Sequence, residues 1–332
     1  MYNMSSKEKY NGKKIDGINI TNDSKGVLFS IIMPVYNKAP YIKDTISSIL
    51  NQTYRSYEVI MIGGASTDDT DIICQEYANA NPDKFKYITQ SGKGVSTARN
   101  DGILSAKGKY IAFLDADDIW IPEYLETMKK LIDDYPDAVF YAGGHTWKYP
   151  DGVETSRVLP ISRGYINYPK VSIDYNGLGI LNSWIIYDRK TVINAGLFKT
   201  DYTIGEDADL AVRMALSGKV AYEPMNLGIY MAELPGSLCK YSSGFEVLVP
   251  GEPELYTVEQ KPEIVKYHDW LIINVALQNI VRGYPKTARK QLRKITNKRN
   301  KKVKLFTTLS YFPTHISSFI HSSYNKYFWR KQ

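Results

Sequence analysis

The sequence predicts an α/β fold: a Rossmann-like, mostly parallel sheet with flanking helices, followed by a helical, basic C-terminal extension. Three observations carry that expectation. From Phe29 to about Leu114, short β-rich apolar runs alternate with segments whose apolar residues recur at helical spacing, the signature of a parallel sheet wrapped by helices. The first run stops at Pro34, the second at Gly63-Gly64 and the last at three acids, so turn and cluster residues stand where strands should end. Beyond Gly251, Ile264, Val265, Trp270, Leu271, Val275 and Ile280 repeat as on a helix.

Taken in order, the first strand is Phe29 to Met33, ended by Pro34. A helix is expected from about Pro40, with Ile42, Ile46, Ile49 and Leu50 on one face. Tyr57 to Ile62 reads as the second strand. Ser66 or Thr67 is the expected cap of the next helix, whose first turn is rich in Asp, as the helix dipole prefers. A strand at Phe85 to Ile88, a helix at Val95 to Ser105 and a strand at Tyr110 to Leu114 complete the first half. The second half is less regular: a strand at Val139 to Tyr141, a Gly-, Tyr- and Pro-rich loop to about Gly179, a strand at Ser183 to Tyr187, then two helices. The expected domains are a disordered lead-in at 1–26, the α/β domain at 27–240 and the helical extension at 241–332.

Bulk properties exclude several classes. A chain of 332 residues with 43% hydrophobic content is not a disordered protein. Two cysteines, Cys74 and Cys239, build neither a disulfide framework nor a cysteine metal site, and a reducing, cytoplasmic setting fits. No apolar run approaches the ~18 residues of a membrane span, and Met1 to Gly26 is polar and lysine-rich, without the apolar core of a signal peptide. Residues 282–332 hold fourteen Lys and Arg and no acid, so the net +7 leaves −7 on residues 1–281. An acidic body argues against nucleic acid as a partner, which requires a positive footprint.

The strongest chemical signal is Leu114-Asp115-Ala116-Asp117-Asp118. Carboxylates this close repel one another unless a cation or hydrogen bonds offset them. Oxygen donors suit Mn2+ or Mg2+, with a diphosphate completing the shell. The plainer reading gives Asp118 a capping role for the segment to Pro122. A second acidic group, Glu206-Asp207 with Asp209, stands before an expected helix from Leu210 to Leu216, where dipole-favoured capping is the plainer reading. Two separate carboxylate groups on one sheet suggest divided labour, one for a metal and one for a proton.

Five blocks stand in order: Pro34-Val35-Tyr36-Asn37; Ala65-Ser66-Thr67-Asp68; Ala98-Arg99-Asn100 with Gly102; Leu114 to Asp118; and Gly196-Leu197-Phe198 followed by Glu206-Asp207. Together they resemble the family 2 glycosyltransferases, over roughly Phe29 to Ser237. The resemblance implies a GT-A fold and an inverting, metal-dependent transfer of a hexosyl or related group from a nucleotide-diphospho-sugar, most often a UDP-sugar, to an acceptor hydroxyl. It also implies roles for single residues. Pro34, Val35, Tyr36 and Asn37 would lie under the base and ribose, with Ser66 beside them, and Arg99 would contact the nucleotide. Asp115, with Ala116, would face the ribose or the metal; Asp117 would ligate the metal, Mn2+ or Mg2+; Asp207 would be the base, with Glu206 beside it.

The pattern also departs from the family. An acid that binds base or ribose is usual after the second strand, and Gly63-Gly64 stands there; Asp68 and Asp69 are nearby acids. An Arg-x-His is common where this chain has Ala232-Glu233-Leu234, leaving Glu233 as a substitute ligand or a surface residue. These departures keep a catalytically impaired sugar- or partner-binding protein as the alternative. A nucleotidyltransferase would need a Gly-rich basic loop after the first strand, which Pro34 to Asn37 is not.

Basic residues between Lys286 and Lys304 lead to Leu305 to Phe312 and then Phe319, Ile320, Tyr327, Phe328 and Trp329. Residues 286–329 are therefore expected to meet an anionic membrane surface, peripherally and at the inner face. A helical cap on the acidic body is the other reading. Attachment would suit a saccharide or lipid-linked saccharide acceptor, in cell-surface polysaccharide or glycolipid synthesis. Trp147, Tyr149, Tyr165, Tyr168, Tyr175 and Trp184 are either sugar-stacking or packing residues.

Overall fold

The computed structural model describes residues 9–10, 13–14, 26–175, 182–200, 205–232, 234, 261–281, 283–295 and 299–312. Most of the expected lead-in, Glu233 and the aromatic residues from Phe319 to Trp329 lie outside them. The chain divides into two compact units, Met1–Asp201 with Glu206–Ser237, and Tyr202–Gly205 with Leu238–Gln332.

The first unit opens on a two-residue antiparallel pair, β1 (Lys9–Tyr10) and β2 (Lys13–Lys14). The elements that follow are β3 (Phe29–Pro34), α1 (Ile42–Leu50), β4 (Tyr57–Gly63), α2 (Thr70–Ala80), β5 (Phe85–Thr89), α3 (Val95–Ser105), β6 (Tyr110–Phe113), β7 (Ile119–Trp120) and α4 (Tyr124–Asp134). Then come β8 (Ala138–Lys148), β9 (Glu154–Ser156), β10 (Gly164–Ile166), α5 (Tyr168–Asp174), β11 (Ile185–Asp188), α6 (Arg189–Asn194), α7 (Glu206–Ser217) and β12 (Lys219–Met231). One sheet runs in the order β10-β12-β8-β11-β6-β3-β4-β5. Strands β6, β3, β4 and β5 are parallel neighbours, β11 is antiparallel to both β6 and β8, and β12 is parallel to β8. Six strands therefore point one way, and their carboxyl ends share one edge. This is the α/β, mostly parallel architecture with flanking helices that the sequence predicts.

Strands buried on both faces read as continuous apolar runs, which is why β3 and β4 carry Phe29, Ile31, Ile32 and Met33 and Val59 to Ile62, all at 0% exposure. Ile31, Met33, Val59 and Met61 share a core with Ile42, Ile46 and Ile49 of α1; each such side chain contributes about 1.5–3 kcal/mol on burial. On α3, Gly102 is required by contact: a Cβ there would stand 2.5 Å from Ile32 Cγ2. That close approach brings α3 down on the sheet.

Several expectations need correction. The strand placed at Val139 to Tyr141 runs from Ala138 to Lys148, and its long partner β12 was not read as a strand. Their pairing shifts register at Glu223/Asn226 and Asn226/Ile229, which erases the two-residue period that marks a strand. The stretch to Gly179 contains β9, β10 and α5, with 176–181 outside the described residues. The second unit contains α8 (Lys261–Val281), α9 (Pro285–Leu292) and α10 (Lys301–Leu309). Ile272, Ile273, Ala276 and Ile280 pack with Ala288, Leu292, Ile295, Val303, Phe306 and Leu309, and buried Asn279 donates to Gln291 Oε1 at 2.9 Å.

Candidate active site

Ligands of open α/β sheets sit beyond the carboxyl ends of the strands, and there the loops after β3, β4 and β6 are neighbours. The first two are laced together. Asn37, with φ 52°, accepts from Thr67 N at 2.8 Å through Oδ1 and donates its backbone N–H to Ser66 Oγ at 3.3 Å. Lys38 N donates to Thr70 Oγ1 at 2.7 Å and Ala39 N to Asp68 Oδ2 at 3.1 Å. Residues 64–68 thus belong to the loop, and α2 starts at Thr70 rather than behind a Ser66 or Thr67 cap. Pro34 closes β3, Val35 is buried, and Tyr36 is 58% exposed.

After β6 the three acids separate in role. Asp118 is buried and accepts from Ser183 Oγ at 2.6 Å and Met231 N at 3.4 Å, fastening the loop to the second half of the sheet. It does not cap the segment to Pro122, which begins instead with strand β7. Burial, then repulsion from Asp115 and Asp117, pushes its pKa well up. Ala116 is in the core. Asp117 lies 2.5 Å from Lys38 Nζ. Burial pushes the Asp117 carboxyl up, and the Lys38 charge opposes that shift.

Arg99, almost wholly buried on α3, joins the two acidic groups. Its Nη2 donates to Asp115 Oδ1 at 3.1 Å and its Nη1 to Glu206 Oε1 at 2.8 Å, while its guanidinium lies 5.4 Å from the Phe198 ring centroid. Burial alone would lower the Arg99 pKa; Asp115, Glu206 and Asp207 raise it further than burial lowers it, so it remains a cation. Burial and the Asp207 charge push Glu206 up, against the pull of Arg99. The supporting turn is fixed from α3 as well: Asn100 Nδ2 donates to Phe198 O and its Oδ1 accepts from Phe198 N, both at 2.9 Å.

The acids Glu206, Asp207 and Asp209 are the first turn of α7, not a preceding loop, and they serve different purposes. Asp209 is buried and paired with Arg213 at 2.5 Å, and Arg213 also donates to Leu197 O at 2.7 Å. The Asp207 carboxylate is half-buried, and its Oδ1 accepts from Ala208 N at 2.7 Å. Sequence reasoning missed Lys38, although it directly follows the Asn37 block, and it missed Ser183, which opens the strand expected at Ser183 to Tyr187 but lies in the 3-10 turn Asn182–Trp184 ahead of β11.

The donor set suits a hard divalent ion, although among the described residues no group of three or more His, Cys, Asp or Glu is placed to hold one unaided. Asp115, Asp117, Glu206 and Asp207 face two cations, Lys38 and Arg99, and that negative surplus is what a cation would offset. The aromatic residues divide between packing and partial exposure. Trp184 is buried and stacks on His145 at 4.3 Å, whereas Trp147 and Tyr149 are half-buried and Tyr165 is 44% exposed.

The family described as Glycosyl transferase family 2 matches residues 30–192. Among curated proteins, the chain is similar to the minor teichoic acid biosynthesis protein GgaB of Bacillus subtilis, 30% identical over 58% of this chain and 21% of that one. It is also similar to the glycosyltransferase GlyA of Streptococcus pneumoniae, 29% identical over 64% of this chain and 31% of that one. The chain thus spans between about a fifth and a third of the length of these two relatives. Among solved structures, S. aureus TarS in complex with UDP-GlcNAc superposes with a TM-score of 0.58 at 16% identity, covering 86% of this chain and 90% of that one. The mannosyltransferase PcManGT of Pyrobaculum calidifontis, in complex with GDP-Man and Mn2+, gives 0.53 at 17% identity over 92% and 89%. At these identities the likeness is one of fold, the GT-A architecture.

Proposed function

The chain belongs to glycosyl transferase family 2 through residues 30–192, and on that premise we propose that it moves a sugar from a nucleotide diphosphate, a UDP-sugar by preference, to the hydroxyl of a saccharide or lipid-linked saccharide with inversion at the anomeric carbon. The observation that carries the reading is Arg99, whose single guanidinium touches both Asp115 and Glu206 and so sets the two acidic groups across one site.

In this reading Pro34, Val35, Tyr36, Asn37 and Ser66 form the bed for the nucleoside, and Asp115 takes the ribose or shares a metal with Asp117. A bound Mn2+ or Mg2+ would stabilise the negative charge that develops on the departing diphosphate. Lys38 holds the Asp117 carboxylate in place from the neighbouring loop. Asp207, in the first turn of α7, takes the proton of the acceptor hydroxyl as that oxygen attacks. A carboxylate base in this position contributes about 10²–10⁴ in rate. Glu206 is occupied by Arg99 and positions the turn. The relatives' names, teichoic acid biosynthesis and glycosyltransferase, support a place in cell-surface polysaccharide or glycolipid synthesis; a cytoplasmic setting is part of the same reading. Peripheral membrane attachment through 286–329 is part of the same reading. Its support is Leu305, Tyr311 and Phe312, 47%, 71% and 48% exposed beside Lys301, Lys302 and Lys304.

The test is a panel of nucleotide-sugars with Mn2+ or Mg2+, scored for binding and for hydrolysis or transfer. Asp117→Ala is expected to lose the metal-dependent signal, and Asp207→Asn to keep donor binding while turnover falls at least 10²-fold. Donor binding without turnover under every condition would leave a sugar-binding protein instead.

A further inference from the structure

The geometry points to an anionic acceptor: we propose that Arg157, backed by Trp147, holds a phosphate or carboxylate group of the acceptor beside the acid loop that follows β6. This rests on the transfer reading above and deepens it by naming the class of the second substrate.

The place is a lobe at the carboxyl edge of the sheet. β11 pairs only with Phe140 to Ala142 of β8, whereas β8 continues to Lys148 between β12 on one side and β9 on the other. At about 3.3 Å per residue, Trp147 lies about 16 Å of strand beyond Ala142. β6 and β8 are both antiparallel to β11 and so run the same way, which puts this lobe over the edge where the acids stand. Two ties fix it beside their loop. Asp118 accepts from Met231 N at 3.4 Å, and Tyr230, one residue earlier, is the strand partner of Trp147. Asp118 also accepts from Ser183 Oγ at 2.6 Å, and the next residue, Trp184, stacks on His145 at 4.3 Å. The nucleoside bed of the donor reading lies over the loops after β3 and β4, so this opposite side of the acids is left for the other substrate.

Arg157 follows β9 here. Its backbone N–H donates to His145 O at 2.7 Å, and its guanidinium lies over the Trp147 ring, 4.4 Å from the centroid. Stacking engages the face of a guanidinium and leaves the N–H groups in its plane unclaimed. Every other arginine of this unit donates to an oxygen: Arg99, Arg163 and Arg213 to carboxylates, Arg55 and Arg189 to backbone carbonyls. The Arg157 side chain has no such acceptor among the described residues, although its Nε is buried. Glu154, close by on β9, is paired with Lys148 at 3.6 Å instead.

Its surroundings are short of acceptors as well. Trp147 Nε1 can only donate, so its 2.9 Å bond to His145 Nε2 leaves the imidazole proton on Nδ1. That N–H and the Trp184 Nε1–H are both buried without a partner among the described residues. Donors and a positive charge gather at this corner, and no described acid neutralises them. Phosphate and carboxylate oxygens accept two N–H groups of one arginine at once, which a neutral hydroxyl cannot match. Held by its charge, the acceptor keeps its hydroxyl free to act as the nucleophile.

The test is titration of the full isotope-labelled chain with glycerol 3-phosphate, methyl glucuronide and their neutral counterparts, glycerol and methyl glucoside. The readout is the Trp147 indole N–H signal, assigned by its loss in Trp147→Phe. Wild type is expected to bind at least one of the two anions on the order of 10-fold or more tightly than its neutral counterpart, a comparison that needs no variant to fold. A response to glycerol 3-phosphate alone makes the acceptor's anion a phosphate, and a response to methyl glucuronide alone makes it a uronate. Arg157→Gln is expected to weaken the anion by on the order of 10- to 100-fold, and saturating UDP with Mg2+ is expected to leave the anion bound. If neither anion moves the Trp147 signal, if the neutral compounds move it equally, if Arg157→Gln binds the anion as wild type does, or if UDP displaces it, the proposal falls while the donor reading stands. If UDP does not bind wild type by calorimetry, the donor reading falls and the assignment of this site to an acceptor falls with it.

Discussion

Replacing Arg99 by Met removes the one group that, among the described residues, touches both acidic clusters. The side chains involved are 5% exposed for Arg99, 11% for Glu206 and 39% for Asp115. Breaking a buried pair by deleting one partner costs about 3–5 kcal/mol, because the other charge stays buried without compensation. Asp115 is open enough for water to screen it and adds little. Arg99 Nε is buried and without a partner among the described residues, so part of the wild-type guanidinium is itself poorly compensated. The expected loss is therefore near the lower bound, about 3 kcal/mol. Its pH dependence has a definite sign. The Glu206 carboxyl is raised above its ordinary 4.5 by burial and by Asp207, and losing Arg99 raises it further. A folded state that binds more protons than the unfolded one loses stability as pH rises. The deficit should therefore be smaller at pH 5 than at pH 8. Urea unfolding at both values measures it, and Glu206→Gln in the Arg99→Met background should recover most of the loss. A deficit under about 1 kcal/mol, or one equal at both pH values, would show that Glu206 does not depend on Arg99, and the two clusters would no longer be joined.

Further outcomes follow from other parts of the molecule. His145 is fully buried against Trp184 and accepts from Trp147 Nε1 at 2.9 Å; burial, then the Arg157 charge, lowers it from 6.5 to about 3. A depressed folded pKa means stability that is complete above the unfolded value and lost on acidification, so unfolding free energy should fall by about 2 kcal/mol between pH 6.5 and 5. His145→Phe should abolish that slope, and an unchanged slope in urea titrations would refute the assignment. Arg213→Leu breaks the buried pair with Asp209 and should cost about 3 kcal/mol while leaving nucleotide affinity unaltered by calorimetry. Replacing Lys301, Lys302 and Lys304 by Glu should release the chain from anionic vesicles in flotation, at roughly 1 kcal/mol per basic residue; retention on vesicles would count against membrane attachment.

The first half of the sheet was legible because its signals are local. β3, β4 and β6 are apolar runs closed by Pro, Gly or acids, and the helix expected at Val95 to Ser105 has those bounds. β12 was not legible, since its register shifts against β8 depend on a partner more than seventy residues away. The acids were visible as clusters, but their division of labour was not. Asp118 and Glu206 are held by Ser183 and Arg99 from other elements, and Asp209 by Arg213 one turn along α7, and the spacing of the acids announces none of these partners.

The glycines after β4 show the same separation of sequence from space. Read along the chain, Gly63 and Gly64 are the loss of an acid, with Asp68 and Asp69 the nearest replacements. Read in space, the position above Gly63 is held by Asp71, two residues beyond Asp69, because α2 starts at Thr70. Sequence position and spatial position therefore part company where a small residue makes space for a neighbour's side chain, and a missing motif residue is evidence of lost chemistry only after that space has been found empty.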